Sequence, residues 1–149
     1  MQNLKHHLPS AVILFVFLSS CQFNSTRTNM AGDKEAAEKV TDKFHAFIKA
    51  KNYDSAYTLF SKRFFAVTPK AKMTEILTAT QSKLGDLKTD SLGEWQTKIV
   101  EGTNPSSDYL LEYTNHHQKY NAKEEFHLTK EDGKIRILGY NINSEGFFK

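Results

Sequence analysis

The sequence predicts an α+β domain, with three helices in its first half packed on an antiparallel sheet of about four strands in its second. Three observations predict it. Apolar residues recur at helical spacing between residues 33 and 84. They alternate with polar residues between residues 95 and 142. The turn pair Asp132-Gly133 separates the last two alternating runs, a strong hairpin signal. Helices followed by a meander place the helices together on one face of the sheet.

The first helix is expected over residues 33–50, where Ala37, Val40, Phe44, Phe47 and Ile48 share a face. Asp33 is placed to cap it, and Glu35 in the first turn suits the helix dipole. Asn52-Tyr53-Asp54 breaks the period. Asp54 then caps a short second helix carrying Ala56, Tyr57, Leu59 and Phe60. Phe64-Phe65-Ala66-Val67 leads into Thr68-Pro69, a capping residue followed by proline at the first helical position. Met73, Ile76, Leu77, Thr80 and Leu84 form the apolar set of this third helix, and Gly85 stops it.

In the second half Trp95, Thr97 and Ile99 alternate with polar residues, as do Tyr109, Leu111 and Tyr113. Phe126 and Leu128 form a third alternating pair, Ile135 and Ile137 a fourth. With a two-residue turn at Asp132-Gly133, Leu128 faces Ile137, and Phe126 faces Gly139. That register gathers Phe126, Leu128, Ile135 and Ile137 on one face. Glu125, His127, Leu138, Tyr140 and Ile142 then share the other, an outer face apolar enough at its end to suggest a partner surface. A three-residue turn with a bulge is the alternative. It sets Leu128 against Arg136 and Phe126 against Leu138.

The N-terminus carries an address. Residues 1–10 are mostly polar with Lys5 as the one fixed positive side chain, and an uninterrupted apolar run, 11–18, follows. The run is too short to span a bilayer, which takes roughly 20 apolar residues. It has the length of a signal-peptide core, roughly 7–15 residues. Leu18-Ser19-Ser20-Cys21 comes next. These residues resemble the lipobox of bacterial lipoproteins. The resemblance implies cleavage between Ser20 and Cys21 and a diacylglyceryl group, with palmitate-type acyl chains, on the Cys21 thiol. Gln22, not Asp, follows the cysteine, and for a Gram-negative cell the resemblance implies an outer-membrane anchor facing the periplasm. The expected organisation is therefore a signal peptide over 1–20, a lipidated cysteine and flexible tether over 21–32, and one domain over 33–149.

Composition excludes several function classes. Cys21 is the only cysteine, so a disulfide or a CxxC metal or redox pair has no basis. Formal net charge falls from +3 to +2 on processing, because Lys5 is the only charged residue removed. That is too little to argue for nucleic acid or an anionic lipid surface as partner. No phosphate-cradling glycine motif and no nucleophile elbow occurs, so no cofactor is implied. Lys62, Arg63, Lys70 and Lys72 read as a solvated helix face.

Element order, the Leu84-Gly85 helix stop, the Asp132-Gly133 turn and the closing Gly139-Tyr140-Asn141-Ile142 together resemble the NTF2-like superfamily, whose cystatin-like α+β fold is a cone. The resemblance covers nearly the whole domain and implies a curved sheet closed over by helices, with a pocket at the open end. It also implies an outer sheet face that can serve as a dimer surface. The fold hosts enzymes, binders and adaptors alike, so function does not follow from it.

Tyr57, Tyr109, Tyr113 and Asn141 are the candidates to line such a pocket, and no carboxylate is evident on the core face. A buried tyrosine is ordinarily a packed ring with one satisfied hydroxyl, and His45 is expected at the helix boundary. His116 and His117 point to opposite faces of their strand. A turn at Tyr120-Asn121 would set His116 opposite Glu125 with His127 beside it, donors of the type zinc takes. An ordinary cross-strand His–Glu pair explains the same residues. The expectation is thus a non-enzymatic binding or interaction module of the cell envelope, carrying Leu138, Tyr140 and Ile142 as its partner or homodimer face. Its partner would be an envelope protein or a small ligand. The alternative is a small isomerase- or dehydratase-type enzyme.

Overall fold

The computed structural model describes residues 24–149; the expected signal peptide and Cys21 lie outside them. The chain runs as β1 (Ser25–Thr28), α1 (Ala31–Lys49), α2 (Tyr53–Tyr57), α3 (Lys62–Val67), α4 (Lys70–Leu84), β2 (Leu87–Glu101), β3 (Ser106–His117), β4 (Asn121–Glu131), β5 (Lys134–Asn143) and a closing 3₁₀ turn over Glu145–Phe148. The five strands form one antiparallel sheet in the order β1-β2-β3-β4-β5. The α+β class stands, with one strand and one short helix more than the sequence suggested.

The extra strand lies where a tether was expected. Ser25–Thr28 pairs with β2, Ser25 opposite Glu101 and Thr28 opposite Lys98. Its polarity hid it, because an edge strand need bury little apolar surface. Asn29 then turns the chain at φ 51°, and its side-chain oxygen accepts a hydrogen bond from Thr97 N at 2.9 Å. Asn tolerates that left-handed conformation better than most residues. Asp33 does not cap α1, which starts two residues earlier after Met30. Instead Asp33 accepts from Arg27 Nε at 2.7 Å, and Arg27 also pairs with Glu101, tying β1 to α1 and β2.

Local signals elsewhere are shifted by a residue or two. Asn52, not Asp54, caps α2, accepting from Ser55 N. Ser61 caps the unexpected α3, accepting from Phe64 N at 2.9 Å. Thr68 is not a cap: α4 begins at Lys70 after Pro69, without a side-chain cap. Gly85 closes α4 as expected, at φ 81°. A Cβ there would sit 2.9 Å from Gln118 Cβ. The residues read as a basic face are largely paired: Lys62 with Asp132, Arg63 with Glu131, and Lys72 with Glu75.

The last hairpin turns at Asp132-Gly133, both with positive φ, and pairs Leu128 with Ile137 as the two-residue turn requires. One residue further the register slips. His127 faces Gly139, so Leu138 is an extra residue, a β-bulge. From there the alternation of β5 is inverted. Phe126 faces Tyr140 rather than Gly139, and Glu124 faces Ile142.

Helix α1 packs across β2, β3 and β5, and α3 against β5. The core lies between them. Phe44, Phe60, Phe64, Leu111, Phe126, Leu128 and Ile137 are buried there. Phe44 stacks edge-on against Phe126 and Phe60, with Tyr140 beside all three. Such aromatic pairs add about 0.5–1.5 kcal/mol each beyond the area they bury.

Candidate functional site

Four adjoining strands and α1 converge on one buried polar cluster. On α1, His45 follows the core residue Phe44 and lies one turn beyond Thr41, and both Thr41 and His45 are buried. On β4, Glu124 shares the helix-covered face with Ala122, Phe126 and Leu128 and is only 4% exposed. Asn115 on β3 and Asp90 on β2 stand opposite each other in register. Tyr140 comes from β5, turned inward by the bulge.

The geometry centres on Glu124. Its Oε2 lies 2.6 Å from His45 Nε2 and accepts from Asn115 Nδ2 at 2.7 Å. Its Oε1 accepts from the Tyr140 hydroxyl at 2.7 Å. On the other side of the imidazole, Nδ1 lies 3.3 Å from Asp90 Oδ2. This is a charge contact without the alignment of a hydrogen bond. Asp90 in turn accepts from Lys49 Nζ at 2.6 Å, at the protein surface. Tyr113 meets His45 edge-on at 4.9 Å and shares a hydrogen bond with Thr41 at 2.6 Å.

Burial alone would push the His45 imidazole towards neutrality. The Asp90 and Glu124 carboxylates outweigh it and raise its pKa to about 9. Asp90 is held well below the usual carboxylate range, chiefly by His45 and then by Lys49, against partial burial. Burial, reinforced by Glu124, pushes the Tyr140 phenol up, so it remains a donor. At neutral pH the cluster is therefore an imidazolium clamped between two carboxylates, with one carboxylate neutralised again by Lys49.

That arrangement limits the chemistry. A general base needs a free lone pair within reach of a substrate proton. The protonated His45 has none, and both oxygens of Glu124 accept hydrogen bonds within the protein. The adjoining cavity, bounded by Asn115, His117, Glu124, Tyr140 and the underside of α4, measures about 10 Å³, room for about one water. Among the buried polar atoms of the described residues that have no partner, Asn115 Oδ1 and His117 Nε2 belong to the lining of this cavity. The orientation of each follows from its other half: Asn115 turns its amide NH₂ to Glu124, and His117 Nδ1 bonds the Gly85 carbonyl at 3.0 Å.

The residues chosen from sequence are dispersed. Tyr57, Tyr109 and Tyr113 do point inward, but only Tyr113 touches the cluster. Tyr57 bonds Thr74 on α4. Asn141 is exposed, opposite Glu125 on the outer face. His45 is buried at 1% exposure, not at the boundary. The core face does carry a carboxylate, Glu124. Alternation from Phe126 and Leu128 was the signal that would have found it. The helical step from Ala37 through Thr41 marked His45 in the same way.

The outer face also changes. Tyr140 and Ile142 sit on the inner face, opposite Phe126 and Glu124. Leu138 is the bulge residue, so the proposed apolar partner surface does not assemble. His116 pairs with Asn121 and not Glu125, which faces Glu112. The His116–Glu125–His127 set is therefore spread along the sheet, and no metal-holding group occurs among the described residues.

Fold and site thus define an α+β protein with an open five-stranded antiparallel sheet, helices on one face, and a buried ionic cluster between them. Compared with family models, curated proteins and solved structures, the chain matches none.

Proposed function

We propose that this chain is a lipid-anchored protein of the cell envelope whose NTF2-like domain serves as a non-enzymatic interaction module. The address rests on the apolar run 11–18 followed by Leu18-Ser19-Ser20-Cys21. Gln22 points to the outer membrane, facing the periplasm, if the cell is Gram-negative. The cone-like fold is supported by the order of helices before an antiparallel meander, and by bulges in β2 and β5 of the kind that bend a sheet.

The observation that carries the non-enzymatic reading is the filled interior. The aromatic rings of Phe44, Phe126 and Tyr140 occupy the space between sheet and α1, and both oxygens of Glu124 beside them are taken up by His45, Asn115 and Tyr140. Ligand pockets ordinarily measure about 300–1,000 Å³, far above the interior cavity. Native mass spectrometry of residues 25–149, purified gently from cells, tests the reading. The expected spectrum is the bare polypeptide mass; a retained small molecule would move the conclusion to a ligand carrier.

A second reading has one observation in its favour, the Glu124–His45 pair inside the domain. A carboxylate beside an imidazole is the equipment of an isomerase- or dehydratase-type enzyme. Deuterium incorporation into a panel of α,β-unsaturated ketones, lost in Glu124→Gln, would carry that reading. No incorporation in the wild type would end it.

A further inference from the structure

We infer that the domain docks flush on the bilayer that anchors it, presenting the end of the sheet formed by the β2–β3 loop and the β4–β5 hairpin to the lipid headgroups. The inference rests on lipidation of Cys21, and it concerns the length of chain between that residue and the folded part. The tether expected from sequence is not available as slack. Asn24 already holds the domain, its side chain accepting from Thr103 N at 3.1 Å, and Ser25 opens β1 opposite Glu101. Only Gln22 and Phe23 separate Cys21 from Asn24. Three Cα steps span about 11 Å at most.

Eleven ångströms is shorter than the domain is long. The twelve residues of β3 alone extend about 40 Å. The domain cannot turn end over end on so short a link, so the end where Asn24 enters stays next to the membrane. Strand register shows what shares that end. Ser25 faces Glu101, β3 starts at Ser106, β4 stops at Glu131 and β5 starts at Lys134. The start of α3 joins them, through Lys62 N and Nζ bonded to Glu131 and Asp132. The opposite end carries the β3–β4 turn and the C-terminus of α4, joined through Lys119 N and the Leu84 carbonyl.

The anchored end suits a headgroup layer. Residues 101–106 and 132–134 are all exposed. Arg27, Lys62 and Arg63 are matched by Glu101, Asp132 and Glu131. Lys130 and Lys134 are in no ion pair among the described residues and are free to meet lipid phosphates. The net charge of the whole chain is irrelevant to this contact, because the covalent anchor supplies the proximity.

The experiment uses the full-length lipidated protein in liposomes containing a headgroup quencher. With Cys21 acylated, Asn104→Cys and Lys83→Cys each offer a single thiol for a fluorophore, one at each end of the domain. Quenching several-fold stronger at position 104 than at 83 is expected. About twelve Gly/Ser residues inserted after Phe23 should erase the difference. Equal quenching at both positions in protein that floats with the liposomes would overturn the docking and leave the anchor standing. Protein that does not float, and whose intact mass lacks acyl chains, would overturn both.

Discussion

Glu124 is the residue on which the interior depends, because three elements donate to its two oxygens. Its replacement by Gln would turn an amide NH₂ towards donors, either His45 and Asn115 or Tyr140. Breaking one partner of a buried ion pair typically costs about 3–5 kcal/mol. Glu124→Gln is expected to lower stability by that order, read as a shift in the urea midpoint without a change in slope. The same cluster sets a pH dependence. His45 has a folded pKa of about 9 against 6.5 unfolded. Its contribution is full below about 6.5 and is lost as pH rises through about 9. A shift of this size corresponds to roughly 3 kcal/mol at most. Asp90 works in the opposite direction: its depressed pKa stabilises above the ordinary carboxylate value and is lost as acid protonates it. Urea titrations across pH should therefore show greatest stability between about 4.5 and 6.5 and a decline towards 9. A His45→Gln variant that kept the alkaline decline would show that another group produces it.

Among the elements, the turn after β1 and the start of α3 each depend on one polar side chain. Asn29 combines a left-handed backbone with the hydrogen bond to Thr97 N, so Asn29→Ala loses the acceptor and strains the turn. A cost of about 2 kcal/mol is expected, with faster amide exchange at Thr97 as the local readout. Ser61 caps α3 and is fully buried; Ser61→Ala should cost about 1 kcal/mol, measured in the same denaturation assay. These segments were hard to read from sequence for one reason. Each signal is a single polar residue, and such residues are common outside caps and turns. The longer periods in α1, α4 and β3 were legible because several apolar positions agree. Alternation also carried the correct Leu128–Ile137 register as far as the bulge at Leu138.

At the scale of the whole molecule, the expected consequence of the anchor is simple. Cys21→Ala should release the protein from the membrane fraction while the domain melts as in the wild type, checked by fractionation and circular dichroism. Retention on the membrane would point to a different attachment. The placing of the helices before the meander of β2 to β5, the α+β class, the Asp132-Gly133 hairpin and the expectation of an N-terminal lipobox all came from the sequence itself, since each rests on local chemistry or on a repeated period. The tertiary structure alone decided that Ser25–Thr28 is a strand, that Tyr140 and Ile142 face inward, and that His45, Asp90 and Glu124 meet. A polar edge strand is defined by its partner, and one bulged residue inverts every side chain beyond it. A buried ion pair joins positions far apart in sequence, whose separate signals are each ordinary until the fold brings them together.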